Sequence, residues 1–555
     1  MFKILVQQEI TALLKSKRVL WSVSIFFILY LVIFSVRVKD FNERNRIYIE
    51  DVKTAEDLKA SAKNYSYTAI PVIRKPMLYS VFNEGFTHER GSYIWAPPLH
   101  IITSSEYKNS SENGIYDFPN RMDITFLITF FMGLFVFLIS FDSVNYEKEK
   151  HLLRLLFSYP VKRTDYIFKK IIGIISLVLL VFTLPFLFGN FYLMLTNSAA
   201  LTADFFSFTL IYWFFTVMYL FSITLIGVYV SVICRKPSTS LITVLLIWVT
   251  LTAIIPTIYD FIGKETLNKK EKQESLSESI SQDQIYVSTH MKDVPDESNP
   301  NKVGHWNWNG GTYVTIGVFG EKKMYRHHIN YMKWVYKNLY PILQRIESNL
   351  DEYHRLRHRF EKLKPDILFF SPVAQFESAA EIISMTGADR YAEYLNDART
   401  LRSLWTETGV KYNWLFSKNY FCVVDTSACI ISIEEYLLDE ARRDKVLKVL
   451  GISKFASNQE EKILKKMADL TSSSKLSPEL EKMINVWQDL NYKRMNEAYK
   501  NKPKFEYPQT PVYKQRYFRI SDVLLPILLR FLVGAVFSAG LLVAVIAKFK
   551  NYDIR

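Results

Sequence analysis

The chain has 555 residues, 49% hydrophobic and 22% charged, with a formal net charge of +14. Averaged in this way it would pass for a soluble protein, but several runs of about 18 residues or more carry no charge, which marks membrane spans. In that setting the basic excess points first to anionic lipid beside span ends rather than to nucleic acid, which is not expected as a partner. Three cysteines, Cys234, Cys422 and Cys429, are too few for a disulfide scaffold.

Residues 1–18 mix polar and apolar positions without a cleavable signal pattern, so the first span is expected to stay as an anchor. The uncharged runs then place spans at 19–36, 122–141, 171–195 (with Pro185), 205–234 (opening on Phe205, Phe206 and Phe208), 237–259 (with Pro256) and 523–547 (interrupted by Arg530). Proline inside a span is tolerated because neighbouring helices can satisfy the freed carbonyl. Lys and Arg gather before the first span, between the second and third, between the fourth and fifth, and after the sixth; the short Thr196–Asp204 loop has none. The positive-inside bias therefore makes both termini, including the 548–555 tail, cytoplasmic.

Segments 37–121 and 260–522 are then extracytoplasmic. The second opens with a polar stretch, Lys264–Asn301, expected to be loosely ordered. Trp306 to Gly311 reads as a turn before a strand-like run, Thr312–Phe319. Apolar spacing predicts one long or broken helix over Glu321–Lys364, kinked at Pro341. Further helices are expected at Ser371–Met385, Ala388–Thr408, Ser432–Leu450, Gln459–Leu470 and Pro478–Lys500. The expected fold is an α-helical membrane protein with six transmembrane helices and large, mainly α-helical extracytoplasmic insertions.

The 142–170 stretch is the most informative. It reads as an amphipathic helix, Glu147–Phe157, stopped by Ser158-Tyr159-Pro160, followed by a short helix opened by Thr164-Asp165 that runs into the third span. On pattern alone it could be a docking element, charged on one face and apolar on the other, or a helix lying on anionic lipid. Acidic-x-acidic (Glu147, Glu149), a Leu-Leu-x-Leu-Leu core (Leu152 to Leu156), then Pro160-x-Lys162-Arg163 leading into a span resembles the coupling-helix region of type-2 ABC exporter permeases. Phe2–Lys17 is similar to the elbow helix of that family. Ser371-Pro372 through Thr386-Gly387 to Arg390, and the Tyr552-Asp-Ile-Arg555 tail, resemble one branch that includes permeases of copper-enzyme maturation and gliding-type systems.

The resemblance implies a permease subunit of an ATP-driven ABC transporter, an exporter in the bacterial cytoplasmic (inner) membrane, working with a separate, dimeric ABC ATPase and a second permease copy or a related permease. Leu152, Leu153, Leu155, Leu156 and Phe157 would seat in the ATPase groove, with Glu147, Glu149, Arg154, Lys162 and Arg163 as polar contacts. The chain has no G-x-x-x-x-G-K-[ST]. It is therefore not expected to be an enzyme or to hold a cofactor; ATP and Mg would sit in the partner. The alternative reading is a membrane-anchored extracytoplasmic binding or sensor protein without transport.

The remaining candidates read as structural. His354 and His358 share a helical face, but Arg355, Arg357 and Arg359 would repel a cation, so no metal site is expected. His327 and His328 are adjacent and point apart. A regular helix would hold Cys422 and Cys429 about 10 Å apart, beyond disulfide reach, though a local turn could join them. Arg530 is the one clear intramembrane charge, functional or snorkelling to the interface. Glu9 and Lys15 read as the wet face of the elbow, and Ser371 as a helix N-cap.

Overall fold

In the computed structural model the described residues are 2–61, 71–85, 93–94, 96, 122–158, 161–197, 202–267, most of 278–286, 333–416, scattered positions between 440 and 515, and 520–551. Among them six helices are long and apolar enough to cross a membrane: Val19–Asp57, Ile124–Glu149, Arg163–Thr196, Ala203–Ile233, Pro237–Ile262 and Asp522–Lys550. These are spans 1 to 6, and the protein is an α-helical membrane protein. The 312–319 run, Cys422, Cys429, His327 and His328 lie outside the described residues, as do Gln459–Leu470 and most of 432–450 and 478–500.

The expected elbow is present as a helix, Phe2–Lys15. Span 1 belongs to a 45-residue helix, Lys17–Ser61. At 1.5 Å per residue that is about 67 Å, roughly twice a hydrocarbon core, so the helix leaves the membrane and continues. Arg46 supports its exposed part by pairing with Glu43 and Glu50, at 2.6 and 2.7 Å, three and four residues away. Pro185 sits inside the unbroken Arg163–Thr196 helix of span 3.

Span 4 is the centre of the bundle, packed by spans 2, 3 and 6. Its Phe205, Phe208, Tyr212, Phe215 and Tyr219 are all buried. Small residues let the backbones approach. A Cβ on Gly227 would lie 1.8 Å from Ser140 Oγ of span 2, and the hydroxyls of Ser222 and Ser538 join spans 4 and 6 at 2.7 Å. Spans 2 and 5 each contain a π-helical segment, Leu127–Met132 and Thr250–Ile254. Such a segment offers carbonyls to side chains: Tyr219 OH donates to Thr129 O at 3.0 Å and Trp248 Nε1 to Phe130 O at 3.2 Å.

The elbow, the Asn145–Glu149 helix and the end of span 6 gather at one end of the bundle, the near end. At the far end, strands β1 (Val72–Ile73) and β2 (Tyr93–Ile94) form a two-residue antiparallel pair, Val72 opposite Ile94. A 3₁₀ turn, Leu78–Val81, then delivers Phe82 into the core. Its ring lies 5.8 Å from that of Phe34, 6.0 Å from Phe186 and 5.0 Å from Tyr212. Arg37 holds Glu84 at 2.7 Å beneath it.

Part of the 260–522 segment folds into the bundle rather than above it. Helix Tyr340–Ile367 turns at Leu368–Ser371 into helix Pro372–Ser384, which packs on spans 4 and 6. Phe376 stacks on Tyr219 with ring centroids 5.1 Å apart. Tyr219 is about 24 Å along span 4 from Ala203, so the hairpin reaches well down the bundle. The Ser371 hydroxyl accepts from the Ala374 N–H at 3.3 Å, the N-cap expected from sequence. Pro341 stands in the first turn of α-helix Tyr340–Ile367, directly after a π-helical Val335–Leu339, so the helical run changes type just before the proline. Part of the polar stretch expected to be loose is helical, and Asp283 there pairs with Arg345. Helix Ala388–Lys411 closes the far-end layer: Tyr394, Leu395, Ala398, Leu401 and Trp405 form a core of their own, and Arg402 pairs with buried Glu347.

Candidate functional site

The near-end stretch between spans 2 and 3 does not form the single helix Glu147–Phe157 expected from sequence. It forms two short helices, Asn145–Glu149 and Leu152–Leu156, separated by His151 in the left-handed region at φ 57°. The break lets Leu152–Leu156 take its own angle to Asn145–Glu149, and the period of the second helix divides its leucines between two sides. Leu153 is buried in the main core and Leu156 and Phe157 pack against it. Leu152 and Leu155 remain exposed, as do Glu149 and Lys162. Of the residues expected to seat in a partner's groove, only Leu152 and Leu155 face outward; the other three hold the step to its own bundle. Pro160 and the Arg154 side chain lie outside the described residues.

The base of the step is clamped from several sides. The Ser231 hydroxyl of span 4 accepts from the N–H groups of Val144 and Asn145, at 2.9 and 3.2 Å. In return Lys148 Nζ donates to the last carbonyls of span 4, those of Ser231, Val232 and Cys234. Each helix end thus satisfies orphan groups of the other. The Asn145 amide and the Ser240 hydroxyl both donate to Phe141 O, at 2.9 and 2.7 Å, which adds span 5.

Glu147 also faces inward. One oxygen takes Lys170 Nζ at 2.7 Å and the other accepts from Tyr166 OH at 2.7 Å. Lys170 reaches Glu9 of the elbow as well, at 2.9 and 3.0 Å. Glu9 is therefore not on the wet face; it is an internal staple joining elbow, step and span 3, while Lys15 is exposed. Gly173 makes room for it, since a Cβ there would lie 2.7 Å from Glu9 Cγ. Span 6 is tied in last: Phe549 stacks on Tyr166 at 5.2 Å, and Arg163 Nη1 donates to Lys550 O at 2.6 Å. Both oxygens of Glu147 and the Arg163 guanidinium thus have partners within the chain.

Sequence reasoning missed Glu9, Lys148, Tyr166, Lys170 and Ser231. The only signal was the charged Lys169-Lys170 pair directly before an uncharged span, which needs counter-charges that spacing cannot name. At the far end, Arg530 of span 6 pairs with Asp366 on the hairpin, so this charge fastens the two together. His354 and His358 lie on the Tyr340–Ile367 helix.

A family model described as ABC-2 family transporter protein matches residues 4–412. The chain belongs to the ABC-2 transporter family. It is a multi-pass membrane protein and the permease component of an ABC transporter, a transmembrane rather than a catalytic subunit, associated with an ABC ATPase subunit. The match spans the elbow, spans 1 to 5, the hairpin and helix Ala388–Lys411 of this ABC-2 protein. No curated protein matches the chain.

Proposed function

We propose that this permease is an exporter whose near end lies in the cytoplasm, where a dimeric ATPase docks on the step formed by Asn145–Glu149 and Leu152–Leu156. Leu152 and Leu155 supply the apolar contact, with Glu149 and Lys162 as polar neighbours. The observation that carries this reading is the pairing of an exposed apolar tip with a base clamped to the elbow and to spans 3, 4 and 5. Movement of the tip by ATP-driven closure would pass through Glu147–Lys170–Glu9 and Ser231–Val144 into the bundle without being absorbed by loops. The orientation is supported by the Lys and Arg placed at the near end. A second copy or a related permease would complete a pathway in a bacterial inner membrane, and the external helices would select the cargo.

Co-purification in mild detergent tests the docking. The wild type should carry an ABC ATPase, and Leu155→Asp should lose it with unchanged thermal stability, because Leu155 is exposed. An ATPase absent from the wild type, or retained by Leu155→Asp and Leu152→Asp together, would overturn the proposal. Cysteine labelling of intact cells tests the orientation: Glu407→Cys should react with an impermeant reagent and His151→Cys should not. The reverse pattern would refute it.

A further inference from the structure

The far end contains a cavity of about 240 Å³ where four parts of the chain meet: Arg44 on the extension of span 1, Arg74 to Ser80, helix Ala388–Lys411, and Tyr513 with Gln515 ahead of span 6. Its size is just below the roughly 300–1,000 Å³ of small-molecule sites. Four cationic side chains line it, Arg44, Arg74, Lys75 and Arg390, against two carboxylates, Glu393 and Asp397. Two of the cations already have acids: Arg44 lies 2.8 Å from Asp40 and 3.3 Å from Glu84, and Arg390 lies 2.9 Å from Glu393.

Arg74 differs. Among the described residues no carboxylate pairs with it, and it is half-buried. Its guanidinium lies over the rings of Tyr391 and Tyr394, at 6.0 and 5.5 Å from their centroids. Stacking on aromatic faces engages the flat side of the guanidinium and leaves its N–H groups, which point outward in the plane, to donate. Those in-plane donors match the two oxygens of a carboxylate or phosphate. Tyr394 is itself fixed, its hydroxyl donating to Val72 O at 2.8 Å, so the platform under Arg74 is built rather than incidental. Burial disfavours the charged guanidinium, and an anion would offset that cost.

We propose that this cavity binds a compact oxyanion, a carboxylate or phosphate group held by Arg74 with Lys75 beside it, and that the bound anion fastens the external helices to the far ends of spans 1 and 6. The chemistry is the same whether the group belongs to a soluble molecule or to an anionic lipid headgroup. The inference does not depend on the ATPase reading, and its test needs no partner.

The test uses the purified full chain, with thermal unfolding followed by tryptophan fluorescence. In detergent, inorganic phosphate and glycerol 3-phosphate are titrated against sodium chloride of equal ionic strength. In parallel, nanodiscs of phosphatidylglycerol are compared with nanodiscs of phosphatidylcholine. A ligand that binds only the folded state raises the unfolding temperature with concentration. A rise with the free phosphates assigns a soluble anion, and a rise confined to phosphatidylglycerol assigns a headgroup; either supports the site if Arg74→Gln weakens the response by roughly tenfold or more and Arg74→Lys restores part of it. No rise from either source, or an equal rise in Arg74→Gln, overturns the proposal. Should Arg74→Gln fail to fold, the exposed Lys75→Gln decides: a severalfold loss of response supports the site and an unchanged response overturns it.

Discussion

Replacing Lys170 by Met should be among the most damaging single changes at the near end. The Lys170 side chain is 6% exposed and holds two carboxylates, Glu9 and Glu147, that are themselves 13% and 18% exposed. The buried limit therefore applies, in which removing one partner strands charge and costs about 3–5 kcal/mol. Lys169 stands 4.0 Å from Glu9 and takes up part of that charge, which places the expected loss near the lower bound, about 3 kcal/mol. Glu147 would keep only the Tyr166 hydroxyl. Removing all the charge together, in Glu9→Gln/Lys170→Met/Glu147→Gln, should cost less than Lys170→Met alone, because no ion is left unpaired. Thermal and denaturant unfolding of the wild type and the two variants in one detergent would measure this. The reasoning fails if Lys170→Met costs under about 1 kcal/mol, or if the triple variant is the less stable of the two.

Gly227→Ala should destabilise by about 1–3 kcal/mol by overpacking spans 2 and 4, since its Cβ would meet Ser140 Oγ; Ser140→Gly in the same chain should restore most of the loss, and no rescue would rule out that contact as the cause. Phe376→Ala removes the ring between Tyr212 and Tyr219 and should cost about 3–5 kcal/mol, read by thermal unfolding in detergent; a loss under about 1 kcal/mol would refute the packing role. Burial raises Glu377 from 4.5 to about 7; Lys364 acts against the shift, and Asp123 and Asp260 add to it. A carboxyl raised on folding binds its proton more tightly in the folded state, so stability should fall as pH rises from 4.5 to about 7 and level off above. Discounted for partial exposure, the change should be about 1–2 kcal/mol. Glu377→Gln should flatten that slope, and an unchanged pH profile would refute the assignment.

The spans were legible because charge is costly in hydrocarbon, so an uncharged run leaves few alternatives. The Ser371 cap and the helices after it were legible because capping and apolar periodicity are local. The hairpin position was not. Pro372-Val-Ala-Gln-Phe-Glu-Ser-Ala-Ala-Glu reads as a surface helix, too short and too polar for a span, and only the packed structure shows that its Ala379 and Ala380 are buried and its Phe376 stacks on span 4. Glu9 was illegible for a related reason. An acid on an amphipathic helix has the same local signature whether it faces water or a lysine 161 residues away.

The near-end step shows how one local event changes a functional reading. Leu152 and Leu155, three apart, share one side of the Leu152–Leu156 helix, and Leu153 and Leu156 share the other. His151 in the left-handed region ends the Asn145–Glu149 helix and lets the next one seat against the bundle at its own angle. Leu153, Leu156 and Phe157 then turn to the bundle, and Leu152 and Leu155 alone face outward. On the docking proposed above, a contact of two leucines would be too small to hold a partner in register by buried area alone. Its precision has to come from beneath, from Ser231, Lys148 and the Glu9–Lys170–Glu147 cluster that fix where those leucines stand. Mutations in the clamp should therefore weaken coupling to an ATPase without touching it, whereas mutations at Leu152 and Leu155 should abolish docking and leave the fold intact.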